Sequence, residues 1–177
     1  TLCRHTASML TRLLLASALV VTAPASFAET PQKAETPRLD KHQVPAGTAF
    51  LLTLRTPLDS ATSEVDDQVE ATLWSPVIQD GLELIPEGAL VIGKVVKVAA
   101  ASKKAPVGSL TFVFSVVQHP ETGSIAMVRS QPITIAGTLP LTSKGAPVRG
   151  AIADATMAGD SRFVAVTAEP LRVWAPR

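Results

Sequence analysis

Two short aspartate motifs, far apart in the chain, are the first residues that could carry chemistry. Asp59 is followed by Ser60, and a second aspartate stands at Asp154. Two aspartates that share one proton can serve as general acid and base in hydrolysis. Aspartic proteases hold each of these aspartates in an Asp-Thr/Ser-Gly turn. This chain has Ala61 and Ala155 in place of the glycine that the turn favours, and Asp154 has no Ser or Thr directly after it. The pattern therefore favours an Asx-type turn at Asp59, and a hydrolase that uses Asp59 is the remote alternative.

Acidic side chains near residue 66 are the second candidate, because calcium takes oxygen ligands. They are Glu64, Asp66, Asp67 and Glu70. Their spacing differs from that of a calcium-binding loop, so we expect a solvated surface loop instead. His42 and His119 are too isolated for a zinc site. We therefore predict no catalytic residue, no metal site and no cofactor.

The first 28 residues have the parts of a secretory signal peptide. Basic residues precede the apolar run Leu13–Ala23, which is too short to span a bilayer comfortably. Ser26 and Ala28 then place small residues before a cut at Glu29. Cleavage predicts a periplasmic or secreted protein with no transmembrane segment, whereas a retained anchor is the alternative.

The remaining sequence divides into a polar stretch and an apolar one. Residues 29–43 hold two Thr-Pro pairs and show no apolar period, so we predict a flexible linker there and a folded domain over 44–177. Cys3 is the only cysteine, and it would leave with the signal peptide. The exported part would then have no thiol for disulfides or thiol catalysis.

Charge and aromatic content exclude some classes of function. The chain has 16 Lys and Arg against 15 Asp and Glu, so its formal net charge is +1. Losing Arg4 and Arg12 with the signal peptide leaves 14 against 15, and no basic patch suggests nucleic acid. The scarcity of aromatic residues argues against an outer-membrane barrel, which needs aromatic girdles.

Hydrophobic patterning predicts an all-β fold, either one small β-barrel or a sandwich. Thr48–Thr56 and Gln68–Trp74 alternate apolar and polar residues, and Leu110, Phe112, Phe114 and Val116 form the clearest buried face. Asp80-Gly81 predicts a tight hairpin. Residues 148–158 suit either a strand or a short helix, and we favour a hairpin that turns at 158–161.

Three Pro-x-Gly tripeptides precede the three most apolar strands. Proline fits the second position of a type I turn and glycine the fourth, so these residues are predicted to specify the fold rather than the function. They are Pro45, Gly47, Pro86, Gly88, Pro106 and Gly108.

Several of these motifs occur in the same order in a known family. The residues concerned are Val44–Thr48, Leu58–Ser60, Val69–Ala71, Asp80-Gly81, Ile85–Ala89, Ile92-Gly93 and Gly108–Leu110 with Phe112 and Phe114. The stretch 44–117 resembles the β-barrel domain of TrbI/VirB10-like proteins, which belong to conjugation and type IV secretion machines. That family has an inner-membrane helix and a long proline-rich arm, for which this chain shows a cleavable signal and a short spacer. The resemblance implies a free periplasmic β-domain and not a secretion channel.

The function expected from these observations is a non-enzymatic structural or protein-interaction role in the cell envelope. An envelope protein or further copies of the chain would be the partner. The alternative is a module that binds cell-wall glycan or another ligand, with Trp74, Trp174 and the Lys103-Lys104 turn as contacts. The sequence identifies no binding residue beyond these candidates, and it predicts no nucleic-acid partner.

Overall fold

The structure, a computed structural model, describes residues 39–176, and within them it contains thirteen strands and no helix. The strands are β1 (Leu39–Val44), β2 (Ala49–Leu54), β3 (Leu58–Asp59), β4 (Gln68–Leu73), β5 (Val77–Gln79), β6 (Leu82–Ile85), β7 (Leu90–Ala99), β8 (Ser109–Gln118), β9 (Ile125–Met127), β10 (Ile133–Ala136), β11 (Thr156–Met157), β12 (Arg162–Val166) and β13 (Leu171–Pro176). In the part of the chain that the structure covers, no helix is long and apolar enough to cross a membrane.

The largest sheet is antiparallel and curls into a half-barrel, which confirms the all-β prediction. Its strand order is β10-β8-β7-β4-β2-β12, and β9 also pairs with β8. Segment 128–131 contacts two strands at opposite sides of this sheet, β8 and β12. Ser130 N donates to Phe114 O at 3.2 Å, and Gln131 N donates to Val166 O at 2.7 Å. This segment therefore links β8 to the end of β12.

The folded part begins earlier than the sequence indicated. Residues 39–43, expected to belong to a flexible linker, lie in β1, which pairs with β13 along its whole length. Val44 is fully buried at the end of this ribbon, and Leu171 is 1% exposed opposite it. Residues 39–43 thus belong to the folded domain and not to the linker. The predicted signal peptide and residues 29–38 lie outside the described residues.

Alternating apolar residues supply the core, as the pattern predicted. In β2 and β4 the buried positions recur every second residue, because successive side chains of a strand point to opposite faces. Phe112 and Phe114 of β8 meet edge to face at 5.7 Å between ring centroids. Phe163 of β12 packs on both rings, at 5.9 and 6.0 Å. This aromatic cluster links β8 to β12 through the inside of the half-barrel.

One predicted core position is wrong because of a β-bulge. The β7–β8 register passes from Ile92 opposite Val116 to Gly93 opposite Phe114, so Ser115 has no partner of its own. A bulge inserts one residue and moves the following side chains to the other face. As a result Val117 is buried at 3% exposure, and Val116 is only partly buried.

The Pro-x-Gly tripeptides adopt two different structures. Gly47 and Gly88 have φ of +83° and +82°. Ala89 N donates to Pro86 O at 3.3 Å, so Gly88 is the third residue of its turn, where type II requires a positive φ. The expected type I arrangement is therefore wrong for that copy. Gly108 has no positive φ, and it belongs to a segment that bridges to Ala153.

The region 148–158 is neither a helix nor a hairpin. It contains a bridge at Ala153 and the short strand β11, which pairs with β3 rather than with β12. The hairpin at Asp80-Gly81 is confirmed. It joins β5 to β6, and both of its central residues have a positive φ, as a tight primed turn requires.

Candidate functional site

A buried polar contact joins two loops at the end of the sheet where β7 finishes and β8 begins. Ser60 Oγ donates to Asp154 Oδ1 at 3.0 Å and accepts a hydrogen bond from Ala155 N at 2.9 Å. Asp154 Oδ1 also accepts from Ala101 N at 2.7 Å. Ser60 is 1% exposed, and Ser60 N donates to Ala155 O at 2.9 Å. We call this set the Ser60–Asp154 clasp.

The clasp closes because glycine occupies the position beside it. A Cβ at Gly108 would lie 2.5 Å from Ser60 Oγ and 2.9 Å from Asp154 Oδ1. Gly137 is equally close to the backbone, since a Cβ there would collide with the carbonyl oxygen of Ala153. Gly108 N donates to Ala153 O at 2.8 Å, and Gly137 N donates to Gly108 O at 2.9 Å. Residues 101–108 and 137–155 are therefore anchored to one another and to β3.

An open cleft of about 510 Å3 lies between these two anchored segments. Its volume falls in the range typical of small-molecule sites. The lining includes two cations and several apolar residues, among them Lys103, Arg149, Pro106, Leu139, Val148 and Ile152. We call this the loop cleft, and it is a candidate site for a small ligand.

The clasp should contribute measurably to the free energy of unfolding. We expect Ser60→Ala to lower the free energy of unfolding by about 2 kcal/mol, because Ala155 N would lose its buried acceptor. Ser102→Ala removes an exposed hydroxyl that accepts from Ala105 N, and it should change stability by less than about 0.5 kcal/mol. Urea unfolding of both variants gives the comparison. Equal stability of the two variants would show that the clasp contributes nothing.

The candidate hydrolytic residues lie together but have structural contacts. Asp59 Oδ1 accepts from Ala61 N at 2.8 Å, which is the Asx-type turn that the sequence favoured. Thr156 pairs with Asp59 across β3 and β11, so the two aspartate motifs are neighbours. The hydroxyl that lies between them, that of Ser60, is buried and bonded on both sides. These contacts give no support to hydrolysis at Asp59.

The acidic loop is held by bonds within the chain. Asp67 Oδ2 accepts from Glu64 N at 2.7 Å, and Asp66 forms an ion pair of 2.6 Å with Lys94. Both members of that pair are mostly exposed, so it adds little to stability. Among residues 39–176, no group of three or more acidic, His or Cys side chains is placed to hold a metal ion.

Both tryptophans are at the surface, each with a cation over its ring. Trp74 is 46% exposed with Arg162 at 4.2 Å from the ring centroid. Trp174 is 50% exposed with Lys41 at 4.7 Å. Both rings, which the sequence suggests as ligand contacts, therefore do have exposed aromatic surface. A cation of the same chain occupies a face on which a sugar would stack.

A row of exposed apolar side chains runs on the outer side of the sheet from β12 across β2 to Trp74, the residue directly after β4. Val164 lies opposite Leu51, and Trp74 N donates to Leu51 O at 2.8 Å. These three residues are 50%, 41% and 46% exposed. We call them the outer apolar row. Sequence reasoning missed this row, although Leu51 shares the outer face of β2 with Thr53, where the alternation favours a polar residue.

The fold and these surfaces define an all-β half-barrel domain with an anchored loop cleft at one end and an apolar row outside. No protein-family model matches the chain, and no curated protein matches it.

Proposed function

We propose that this chain is an exported periplasmic β-domain with a structural or protein-interaction role in the cell envelope. The signal-like N-terminus supports export, and the resemblance of residues 44–117 to the TrbI/VirB10-like barrel domain supports an envelope role. The all-β half-barrel agrees with both. Partner binding, rather than catalysis, is the function that these surfaces suit best.

The observation that carries the proposal is the outer apolar row. Contiguous exposed apolar side chains are a common mark of an interaction surface. The row includes Val164 of β12, an edge strand whose residues 162–165 pair only with β2 among the described residues. The free edge of a strand can accept a further strand from a partner. An apolar row beside such an edge gives a partner both side-chain and backbone contacts.

Site-specific photo-crosslinking in cells tests this role. A photoreactive residue at position 51 should give a discrete product, identified by mass spectrometry as an envelope protein or a second copy. The same probe at position 78 is the control, because Ile78 is 61% exposed on the separate β5–β6 hairpin. Val164→Glu should abolish the product. A protein that sediments as a monomer and gives no product at position 51 would contradict the proposal.

Binding of cell-wall glycan through Trp74 or Trp174 is the less supported alternative. Stacking on a sugar needs an accessible ring face, and in each case Arg162 or Lys41 lies over the ring. Trp74 is instead part of the outer apolar row, where its exposure serves protein contact. Asp59, the residue of the enzyme alternative, makes the contacts of a turn and not those of a reactive pair.

A further inference from the structure

The loop cleft combines unpaired positive charge with exposed apolar surface. Segments 101–108 and 137–153 provide its lining and contain four cations and no carboxylate: Lys103, Lys104, Lys144 and Arg149. Two ion pairs are found among residues 39–176, and neither involves any of these four cations. The nearest carboxylate in sequence, Asp154, is bonded to Ser60 Oγ and Ala101 N.

Apolar side chains stand beside these charges with no protein partner to cover them. Ile152 is 52% exposed and Val148 is 41% exposed, and both line the loop cleft with Leu139. Apolar surface in a concave site is the usual lining for a small ligand, with a few polar groups that fix its orientation. The occupant that matches both features has an apolar body and an anionic group.

The walls of the loop cleft are held in place before any ligand arrives. Val148 N donates to Pro140 O at 3.0 Å, and Ala153 N donates to Pro106 O at 2.8 Å. Long connections without regular structure are usually either functional or disordered. The connection over residues 137–155 is anchored by backbone hydrogen bonds and by the clasp. Binding would therefore require little ordering of the loops, which favours affinity.

We propose that the loop cleft binds a small anionic amphiphile, with its carboxylate or phosphate between Lys103 and Arg149 and its apolar body against Val148 and Ile152. This inference goes beyond the partner-binding role, since it uses another face of the molecule and none of the residues of the outer apolar row. The two proposals can therefore fail separately.

Titration of the protein with octanoate, followed by amide chemical shifts, tests the proposal. Octanoate should shift the amide resonances of residues 103–105 and 148–152 in a saturable way. Acetate, which has the charge without the chain, and 1-octanol, which has the chain without the charge, should each bind at least tenfold more weakly. Because part of the attraction is between charges, added salt should weaken octanoate binding.

Matched variants locate the site. The double variant Lys103→Gln with Arg149→Gln should weaken octanoate binding about tenfold or more, since charge-assisted hydrogen bonds are lost. Arg172→Gln, at an exposed cation of β13, should leave it unchanged. Ile152→Ser should weaken binding, whereas Ile78→Ser should not.

Three outcomes would overturn the proposal. Acetate could bind as tightly as octanoate, the double variant could retain full affinity, or anionic phospholipid vesicles could bind through these cations while monomeric octanoate does not. All four variants replace exposed side chains, so their folding is expected to be intact, and amide spectra without ligand check this directly.

Discussion

Replacement of Phe112 by alanine is expected to lower the free energy of unfolding by about 4 kcal/mol, a large part of a typical domain's total stability. Phe112 is fully buried, and its ring packs edge to face against both Phe114 and Phe163. Truncation would remove these contacts and leave a cavity in the aromatic cluster that links β8 to β12. Chemical denaturation with urea measures the loss.

Ile78→Ala is the control for this truncation, because Ile78 is 61% exposed and its loss should cost less than about 0.5 kcal/mol. A double-mutant cycle between Phe112 and Phe163 should give a coupling of about 1 kcal/mol, as expected of an aromatic pair. A loss below about 1.5 kcal/mol for Phe112→Ala would show that the aromatic cluster is not the centre of the core.

Replacement of Gly93 by alanine is the second change with a large expected effect. A Cβ at this position of β7 would collide with the carbonyl oxygen of Val113 and would lie 2.9 Å from Phe114 Cα. Both are backbone atoms of β8, so neither can rotate away as a flexible side chain would. We expect a loss of about 3 kcal/mol in the free energy of unfolding, at the upper end of overpacking effects.

Gly159→Ala is the matched control for Gly93. The nearest atom to a Cβ there is Arg55 O at 3.5 Å, an ordinary contact, and Gly159 has no positive φ. Thermal unfolding should show a lower melting temperature for Gly93→Ala and almost no change for Gly159→Ala. If both variants melt like the parent protein, β7 and β8 have enough freedom at Gly93 to separate, contrary to this packing.

Local pattern was enough to predict much of the sheet. The alternation in β2 and β4 and the hairpin at Asp80-Gly81 depend on residues close together in sequence, and the structure confirms each of them. The prediction of Val116 as a core residue failed at the bulge at Ser115. That bulge is defined by the pairing of β7 with β8, and no single strand reveals the register of its neighbour.

Long-range contacts account for the rest of what the sequence left undecided. The clasp joins Ser60 to Asp154, and the residues that surround the loop cleft come from two segments separated by β8, β9 and β10. The sequence offers the two aspartate motifs as catalytic candidates, yet their proximity depends on the pairing of β3 with β11. Arg149 had no local pattern to mark it, because only the fold places it in the lining of the loop cleft together with Lys103.

The pairing of β1 with β13 has a consequence for how the protein folds. The ribbon joins the first strand of the described region to the last, so it has the greatest sequence separation of any pairing there. Such non-local contacts form slowly, because the loop-closure entropy must be overcome before the contact stabilises anything. β1 can therefore pair only after the whole chain down to β13 is present in the same compartment, and until then Val44, fully buried in the final fold, stays in contact with water.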